Sequence, residues 1–235
     1  ETGGWGMIVH TTHHEDGRPM FDKLKPAFIT FTGIDERTDL ARVQALSDRY
    51  PVEWAVLFSA ARQETDPRYP SLVVTEEFRL MPIRKAAHLC GDYAKAVVKC
   101  GKPNVFLTGF QRIQINTISP VPMAINDYAS IWSAQGVMQV RGDDFPEIKK
   151  VQMLFDRSGG RGVVPGRWPR HPGGDRLVGY AGGIGPDNVL DVLAVINADG
   201  PYWIDMESGV RTDDWIDLDK CEAVLEAVYG KTVAK

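Results

Sequence analysis

The sequence predicts a single α/β domain whose parallel strands close into a barrel of eight. Its 235 residues fit one such barrel. From residue 27 onward, eight short apolar runs recur, separated by stretches with helical periodicity. Strands that alternate with helices form a parallel sheet, and eight strands are the number that closes it. An open, doubly wound sheet is the alternative, and it usually has fewer strands.

The predicted elements follow one another regularly along the chain. The strands are AFITF, WAVLF, KAAHL, RIQI, GVMQV, VQMLF, LVGY and YWIDM. Helical spacing of apolar residues occurs in RTDLARVQALSDRY, DYAKAVVKC, INDYASIWSA and LDKCEAVLEAVY, and LDVLAVI follows the seventh strand. The stretches after the second, fifth and sixth strands have a weaker helical pattern. No linker divides this region, so residues 23–235 are predicted to be one (βα)8, or TIM barrel, domain.

Composition excludes several classes of function. The net charge of −4 argues against a nucleic-acid or membrane-surface binder, since both need a basic excess. The three cysteines, Cys90, Cys100 and Cys221, form no C-x-x-C pair, which favours a reducing cytoplasm over a disulfide framework. No apolar run approaches the roughly 18 residues of a membrane span. A cytoplasmic protein that binds a small molecule is the expectation.

Residues 1–22 differ from the rest of the chain. They mix glycines, charges and the histidines His10, His13 and His14 without a stable period. No carboxylate or cysteine lies at a diagnostic spacing from these histidines, so we expect an N-terminal arm and no metal site.

Glycine-rich segments follow the last three strands: DRSGGRGVVPGRW, AGGIGPDN and ESGVRTDDW. Barrels of this kind often bind a phosphate after strands seven and eight. Glycine allows the backbone to approach closely, and N–H groups at a helix start point at an anion. We therefore predict a phosphate site at Gly182, Gly183, Ser208 and Gly209. The alternative interpretation is a set of tight turns that need glycine in any case.

These loops resemble the phosphoribosylanthranilate isomerase family, from about residue 27 to 229. AGGIGPDNV resembles the family's A-G-G-L-N-P-D-N-V, and DMESGV resembles D-V-N-S-G-V-E. T-F-T-G stands where the family has K-I-C-G, D-P-R-Y-P-S where it has S-P-R-Y-V-S, and RIQIN where it has V-Q-L-H. LFDRSGGRG, followed by GRW, is similar to L-L-D, G-G-T-G and F-D-W.

The resemblance implies an Amadori isomerisation of a phosphoribosyl compound, part of tryptophan biosynthesis, without a cofactor or metal. An acid opens the ribose ring to an iminium, and a base then removes the C2′ proton. The resemblance assigns the acid to Asp156 and a carboxylate clamp to Arg68. It adds Gln114, Gly160 and Arg161 as substrate-binding residues.

Thr32 occupies the base position, where the family has cysteine. A threonine hydroxyl is far less acidic than a thiol, and no neighbouring base activates it in sequence. Replacement bases suggested by position are Asp35, His88, Cys90 and Asp92; the histidine could equally be a packed side chain.

Two hypotheses remain open. The first is an isomerase-like enzyme, monomeric or homodimeric, that acts on a phosphorylated sugar and has no nucleic-acid or membrane partner. The second is a catalytically altered or inactive barrel that binds a phosphorylated ligand or a protein partner. Thr32 favours the second hypothesis, whereas Asp156 and Arg68 favour the first.

Glu207 is a further departure from the family, which usually has a small polar residue beside the phosphate. A carboxylate at this position repels the phosphate unless the carboxylate is protonated or turned away. Arg161 and Arg211 could compensate for its charge.

Overall fold

The computed structural model describes residues 25–232, in which eight parallel strands close into a barrel. Strand order follows chain order, and the last strand pairs with the first. The prediction of a closed parallel barrel is confirmed, with every strand close to its predicted bounds. These bounds are β1 Phe28–Thr32, β2 Val52–Phe58, β3 Lys85–Leu89, β4 Arg112–Ile115, β5 Gln135–Val140, β6 Gln152–Asp156, β7 Val178–Ala181 and β8 Tyr202–Met206.

Helices connect most of these strands on the outside of the barrel. Asp39 and Asp217 accept backbone N–H groups of the first turns of the helices Leu40–Arg49 and Leu218–Tyr229, which explains where those helices begin. After β8 the chain forms a 3₁₀ turn, Ser208–Val210, and a short hairpin of β9 Arg211–Thr212 and β10 Trp215–Ile216. Within residues 25–232 the α-helices are α1 Leu40–Arg49, α2 Leu72–Leu80, α3 Gly91–Val98, α4 Pro122–Ile131, α5 Val189–Ile196 and α6 Leu218–Tyr229.

The alternation of strands and helices is interrupted twice. Residues 141–151 after β5 and 157–177 after β6 contain no α-helix, although one was predicted in each place. Glycine and proline occur in both segments and disfavour helix. Aromatic rings cover the outer face of the strands here instead: Trp168 packs 5.8 Å from Phe155 and 6.1 Å from Tyr180, and Phe145 lies 5.5 Å from Tyr180, measured between centroids.

The amino-terminal end of the barrel interior is filled by charged and aromatic side chains. Arg112 lies 4.0 Å above the ring of Trp203 and 3.6 Å from the Glu53 carboxylate, which also accepts a 2.9 Å hydrogen bond from Thr30. Phe28 stacks on Trp203 with ring centroids 5.9 Å apart. Because this end is filled, the interior is open to a ligand only at the carboxyl end of the strands.

The described residues contain neither a membrane-spanning helix nor a cluster of metal ligands. Among residues 25–232, no helix is long and apolar enough to span a bilayer. The same residues contain no group of three or more His, Cys, Asp or Glu side chains placed to hold a metal ion. The predicted arm, with His10, His13 and His14, lies outside the described residues.

Candidate active site

A cavity of about 540 Å³ opens at the carboxyl end of the barrel. In barrels of this kind the loops that follow the strands carry the chemistry. Eight of the ten residues predicted for the site line this cavity: Thr32, Arg68, Gln114, Asp156, Gly160, Gly182, Gly183 and Ser208. Arg161 and Gly209 are not among its lining residues.

Asp156 ends β6 and is buried at the cavity wall. Its carboxylate accepts hydrogen bonds from the Ser158 hydroxyl and from the N–H groups of Gly159 and Gly160, each at 2.9 Å. The Gln139 side-chain amide donates a fourth bond, at 3.3 Å. The residue therefore shapes the turn after β6 and also faces the cavity. The hydroxyl and the amide can each reverse and accept, so a protonated Asp156 also has partners.

The glycine turn after β7 has the conformation that its sequence suggests. Gly182 and Gly183 have φ of 130° and 61°, values that favour glycine. A Cβ on Gly183 would lie 2.6 Å from the backbone nitrogen of Val164, so the loop after β6 packs directly on this turn. Asn188 precedes α5, and its side chain accepts from Gly185 N–H at 2.9 Å and donates to the Gly183 carbonyl at 2.8 Å.

The turn after β8 is in contact with the turn after β7. A Cβ on Gly209 would lie 2.1 Å from the Ile184 carbonyl oxygen, so only glycine allows the two backbones to approach this closely. Ser208 faces the cavity and lies against Gly162 in the loop after β6. Gly209 thus holds the two turns together without reaching the cavity itself.

Two of the predicted substrate-binding residues contact other parts of the protein. Arg161 donates from Nε to the Ser158 carbonyl at 2.9 Å, within its own loop. Gln114 is buried in the cavity floor, donates to Asn116 Oδ1 at 2.8 Å and lies 3.5 Å from His88 Nδ1.

Arg68 enters the cavity from the loop after β2, where it lies near two carboxylates. Its guanidinium is 3.4 Å from Glu207 and 3.2 Å from Asp214. Burial raises the pKa of Glu207, while the nearby charges of Arg211 and Arg68 oppose that rise. A ligand carboxylate that binds Arg68 must therefore compete with groups of the protein itself.

Thr32 ends β1 at the cavity floor and donates from its hydroxyl to Asp205 Oδ1 at 2.8 Å. Asp205 is an inward-facing residue of β8, buried among the floor side chains. Burial raises the pKa of Asp205 to about 8, and the charges of Glu207 and Glu53 add to that rise. The hydrogen bond from Thr32 and the charge of Arg112 oppose it.

Two of the positional candidates for the missing base are unsuited to it. Asp35 is fully buried away from the cavity, where it accepts the N–H groups of Arg37 and Ile216 and lies 3.4 Å from Arg211. His88 does point inward and lines the cavity, but burial lowers its pKa to about 3. A neutral imidazole with so low a pKa is a weak proton acceptor.

The other two candidates also line the cavity. Burial raises the pKa of Cys90, so the thiol form is favoured, although the 3.3 Å hydrogen bond from the Asn116 side chain to its sulfur opposes that rise. Asp92 is exposed at the rim and pairs with Lys95 at 2.9 Å, which lowers its pKa. Cys90 is therefore little ionised near neutral pH, and the Asp92 carboxylate is a weak base, so neither suits proton abstraction from carbon.

Sequence reasoning did not identify Asp205 as a site residue. The signal that could have found it is a carboxylate inside the strand YWIDM, whose other residues are apolar or aromatic. An acidic side chain in a fully buried strand is rare without a partner or a function.

Comparisons with solved structures return the family that the loop motifs resemble. A phosphoribosylanthranilate isomerase in complex with reduced 1-(o-carboxyphenylamino)-1-deoxyribulose 5-phosphate superposes with a TM-score of 0.57 at 15% identity, over 87% of this chain and 100% of that one. TrpF from Jonesia denitrificans gives 0.59 at 17% identity, over 86% and 97%. The isomerase from Thermotoga maritima gives 0.56 at 14% identity, over 88% and 100%.

The sequence itself matches neither a protein-family model nor a curated protein. At the identities of its structural neighbours, the likeness establishes the barrel fold and its alignment over nearly the whole of each neighbour. Function has to be argued from the site itself.

Proposed function

We propose that the chain is an isomerase that converts a phosphoribosyl amine to its 1-amino-1-deoxyribulose form by general acid/base catalysis. The observation that carries this proposal is the grouping of two buried carboxyl groups, Asp156 and Asp205, with the glycine turn of Gly182 and Gly183 in one cavity. Ring opening and enolisation need a group that binds the phosphate and two groups that transfer protons.

The glycine turns hold the phosphate in this proposal. Gly182, Gly183 and Ser208 line one side of the cavity, and Gly209 keeps their two turns in contact. Backbone N–H groups in such turns bind oxyanions without a cationic side chain. The ligand of one structural neighbour is the reduced form of a 1-deoxyribulose 5-phosphate, which supports the substrate class.

Asp156 is the general acid. Protonated, it gives its proton to the ribose ring oxygen as the C1′–O bond breaks, and the amine nitrogen supplies the electron pair that forms the iminium. Removal of the C2′ proton then gives an enolamine, which tautomerises to the ketone. Gln114, Gly160 and Arg161 position the substrate or the protein loop beside it. Arg68 contacts the aglycone, the group attached to the amine nitrogen. Cytoplasmic localisation and a monomeric or homodimeric state stay predictions.

One observation favours the alternative, a barrel that binds a phosphorylated ligand without turnover. The pairing of Arg68 with Glu207 and Asp214 removes a free clamp for a carboxylate aglycone. Either the aglycone displaces these carboxylates, or the natural ligand lacks a carboxylate at that position.

Turnover of phosphoribosylanthranilate, followed by the loss of its fluorescence, separates the two functions. We expect wild-type turnover and a fall in kcat of about 10²–10⁴ in Asp156→Asn, the range of one acid/base group. Asp143→Asn removes an exposed carboxylate that pairs with Arg157 at the surface, and we expect it to leave kcat unchanged. An inactive wild type that gains turnover in Thr32→Cys would instead establish the alternative.

A further inference from the structure

The cavity floor contains a carboxyl group next to the hydroxyl that replaces the expected base. Asp156 pairs in register with Ala181, and Ala181 pairs with Asp205, so the two carboxyl-bearing residues lie at one level of the barrel with one strand between them. That arrangement separates their backbones by about 9–10 Å. The small Ala181 side chain between them leaves room for a substrate to reach both carboxyl groups.

We propose that Asp205 is the catalytic base that removes the C2′ proton, with Thr32 as its positioning residue. This assignment rests on the proposed function and identifies the base that its second step requires. Thr32 holds one oxygen of Asp205 through the 2.8 Å hydrogen bond, and Asp205 is itself a lining residue of the cavity. The base thus moves from β1 to the adjacent strand β8, while its place in the cavity floor is kept.

The charges around Asp205 suit a proton acceptor that works near neutral pH. Glu53 on β2 and Glu207 after β8 raise its pKa, and Arg112 on β4 lowers it, in addition to burial and the Thr32 bond. Asp156 faces the same cavity two strands away, and His88 is neutral. A carboxylate in this environment is a much stronger base than one in water, because its conjugate acid has a pKa of about 8.

The proton balance of the step is complete within the site. Asp205 carboxylate takes the proton from C2′, the electrons of the broken C–H bond form the C1′–C2′ double bond, and the iminium π electrons return to nitrogen. Asp205 is then protonated and Asp156 is ionised. Tautomerisation adds a proton at C1′ and releases the proton of the C2′ hydroxyl, so both carboxyl groups return to their starting states with no external oxidant or reductant.

The test combines the pH dependence of kcat/KM with binding of the reduced deoxyribulose phosphate analogue. We expect the pH profile of kcat/KM of the wild type to have a limb near pH 8 that is set by ionisation of Asp205. Thr32→Val removes the bond that lowers the pKa, so its profile shifts to higher pH. Glu53→Gln removes a charge that raises the pKa and lies outside the cavity, so its profile shifts to lower pH. A merely structural role of Thr32 would not produce opposite shifts.

Asp205→Asn separates chemistry from binding. We expect kcat to fall at least about 100-fold while affinity for the reduced analogue stays within about threefold, and Asp205→Glu to recover part of the rate. If the wild type is active and Asp205→Asn keeps more than a tenth of kcat, or if the wild-type profile of kcat/KM has no limb near pH 8, the assignment is wrong and the proposed function stands. A wild type without turnover overturns both.

Discussion

The two sides of the cavity are built from different parts of the chain. On one side, Gly182 and Gly183 present backbone to the cavity, and the loops after β6 and β8 pack against them. On the floor, Thr32 and Asp205 present side chains that are 173 residues apart in sequence and share one hydrogen bond. The glycine side closely resembles a known family, whereas Thr32 on the floor departs from it. The proposed binding of a phosphate and the proposed chemistry on the rest of the substrate therefore depend on different parts of the cavity.

The backbone side can be disrupted by one methyl group. In Gly183→Ala a Cβ enters a backbone with φ of 61° and meets the Val164 nitrogen at 2.6 Å. Such strain costs about 1–3 kcal/mol, and we expect phosphate affinity to fall at least about tenfold. The rise in Tm on adding inorganic phosphate measures this affinity, because a ligand that binds the folded state raises Tm.

Gly166→Ala is the matched control for this experiment. Gly166 lies in the loop after β6, and a Cβ there would meet nothing within 4 Å. We expect this variant to keep the full protection by phosphate. If Gly183→Ala keeps it as well, the glycine turn is a tight connection and not an anion site.

A smaller effect is expected at the boundary between the two sides, where Glu207 lies beside the glycine turns. Glu207→Gln removes a like charge near the anion, so we expect sulfate to bind about fivefold more tightly. Because burial raises the pKa of Glu207, wild-type affinity for sulfate should increase as pH falls through that pKa. Sulfate keeps its charge over this pH range, so any change in affinity comes from ionisation of the protein.

Calorimetric titration of sulfate at several pH values measures this difference. Glu76→Gln, which removes an exposed carboxylate on α2, is the control and should behave as the wild type. Equal sulfate affinity in Glu207→Gln and the wild type would mean that Arg68 and Arg211 already neutralise Glu207.

Much of the fold could be predicted because its signals are local. Each strand is a short apolar run, and the glycines at 182 and 183 occur where the backbone needs positive φ. The absence of helices after β5 and β6 was harder to predict. Aromatic packing by Trp168 and Phe145 replaces these helices, and it depends on contacts between separate segments of the chain. Local periodicity contains no information about such contacts.

The site was predictable in part for the same reason. Asp156, Arg68 and the glycine turns follow strand ends in recognisable motifs, and the structure brings most of them into one cavity. The pairing of Arg68 with Glu207 and Asp214 depends on loops 139 and 146 residues away in sequence. The bond between Thr32 and Asp205 depends on closure of the barrel between β1 and β8. Neither can be seen from one segment alone.

The most direct test of separate binding and chemistry is the affinity of the reduced deoxyribulose phosphate analogue for two variants. Gly183→Ala should bind it at least about tenfold more weakly than the wild type. Asp205→Asn should bind it with nearly wild-type affinity and yet fail to turn over phosphoribosylanthranilate. Equal losses of affinity in both variants, or no loss in Gly183→Ala, would contradict the division of the cavity into a backbone anion site and a carboxyl floor.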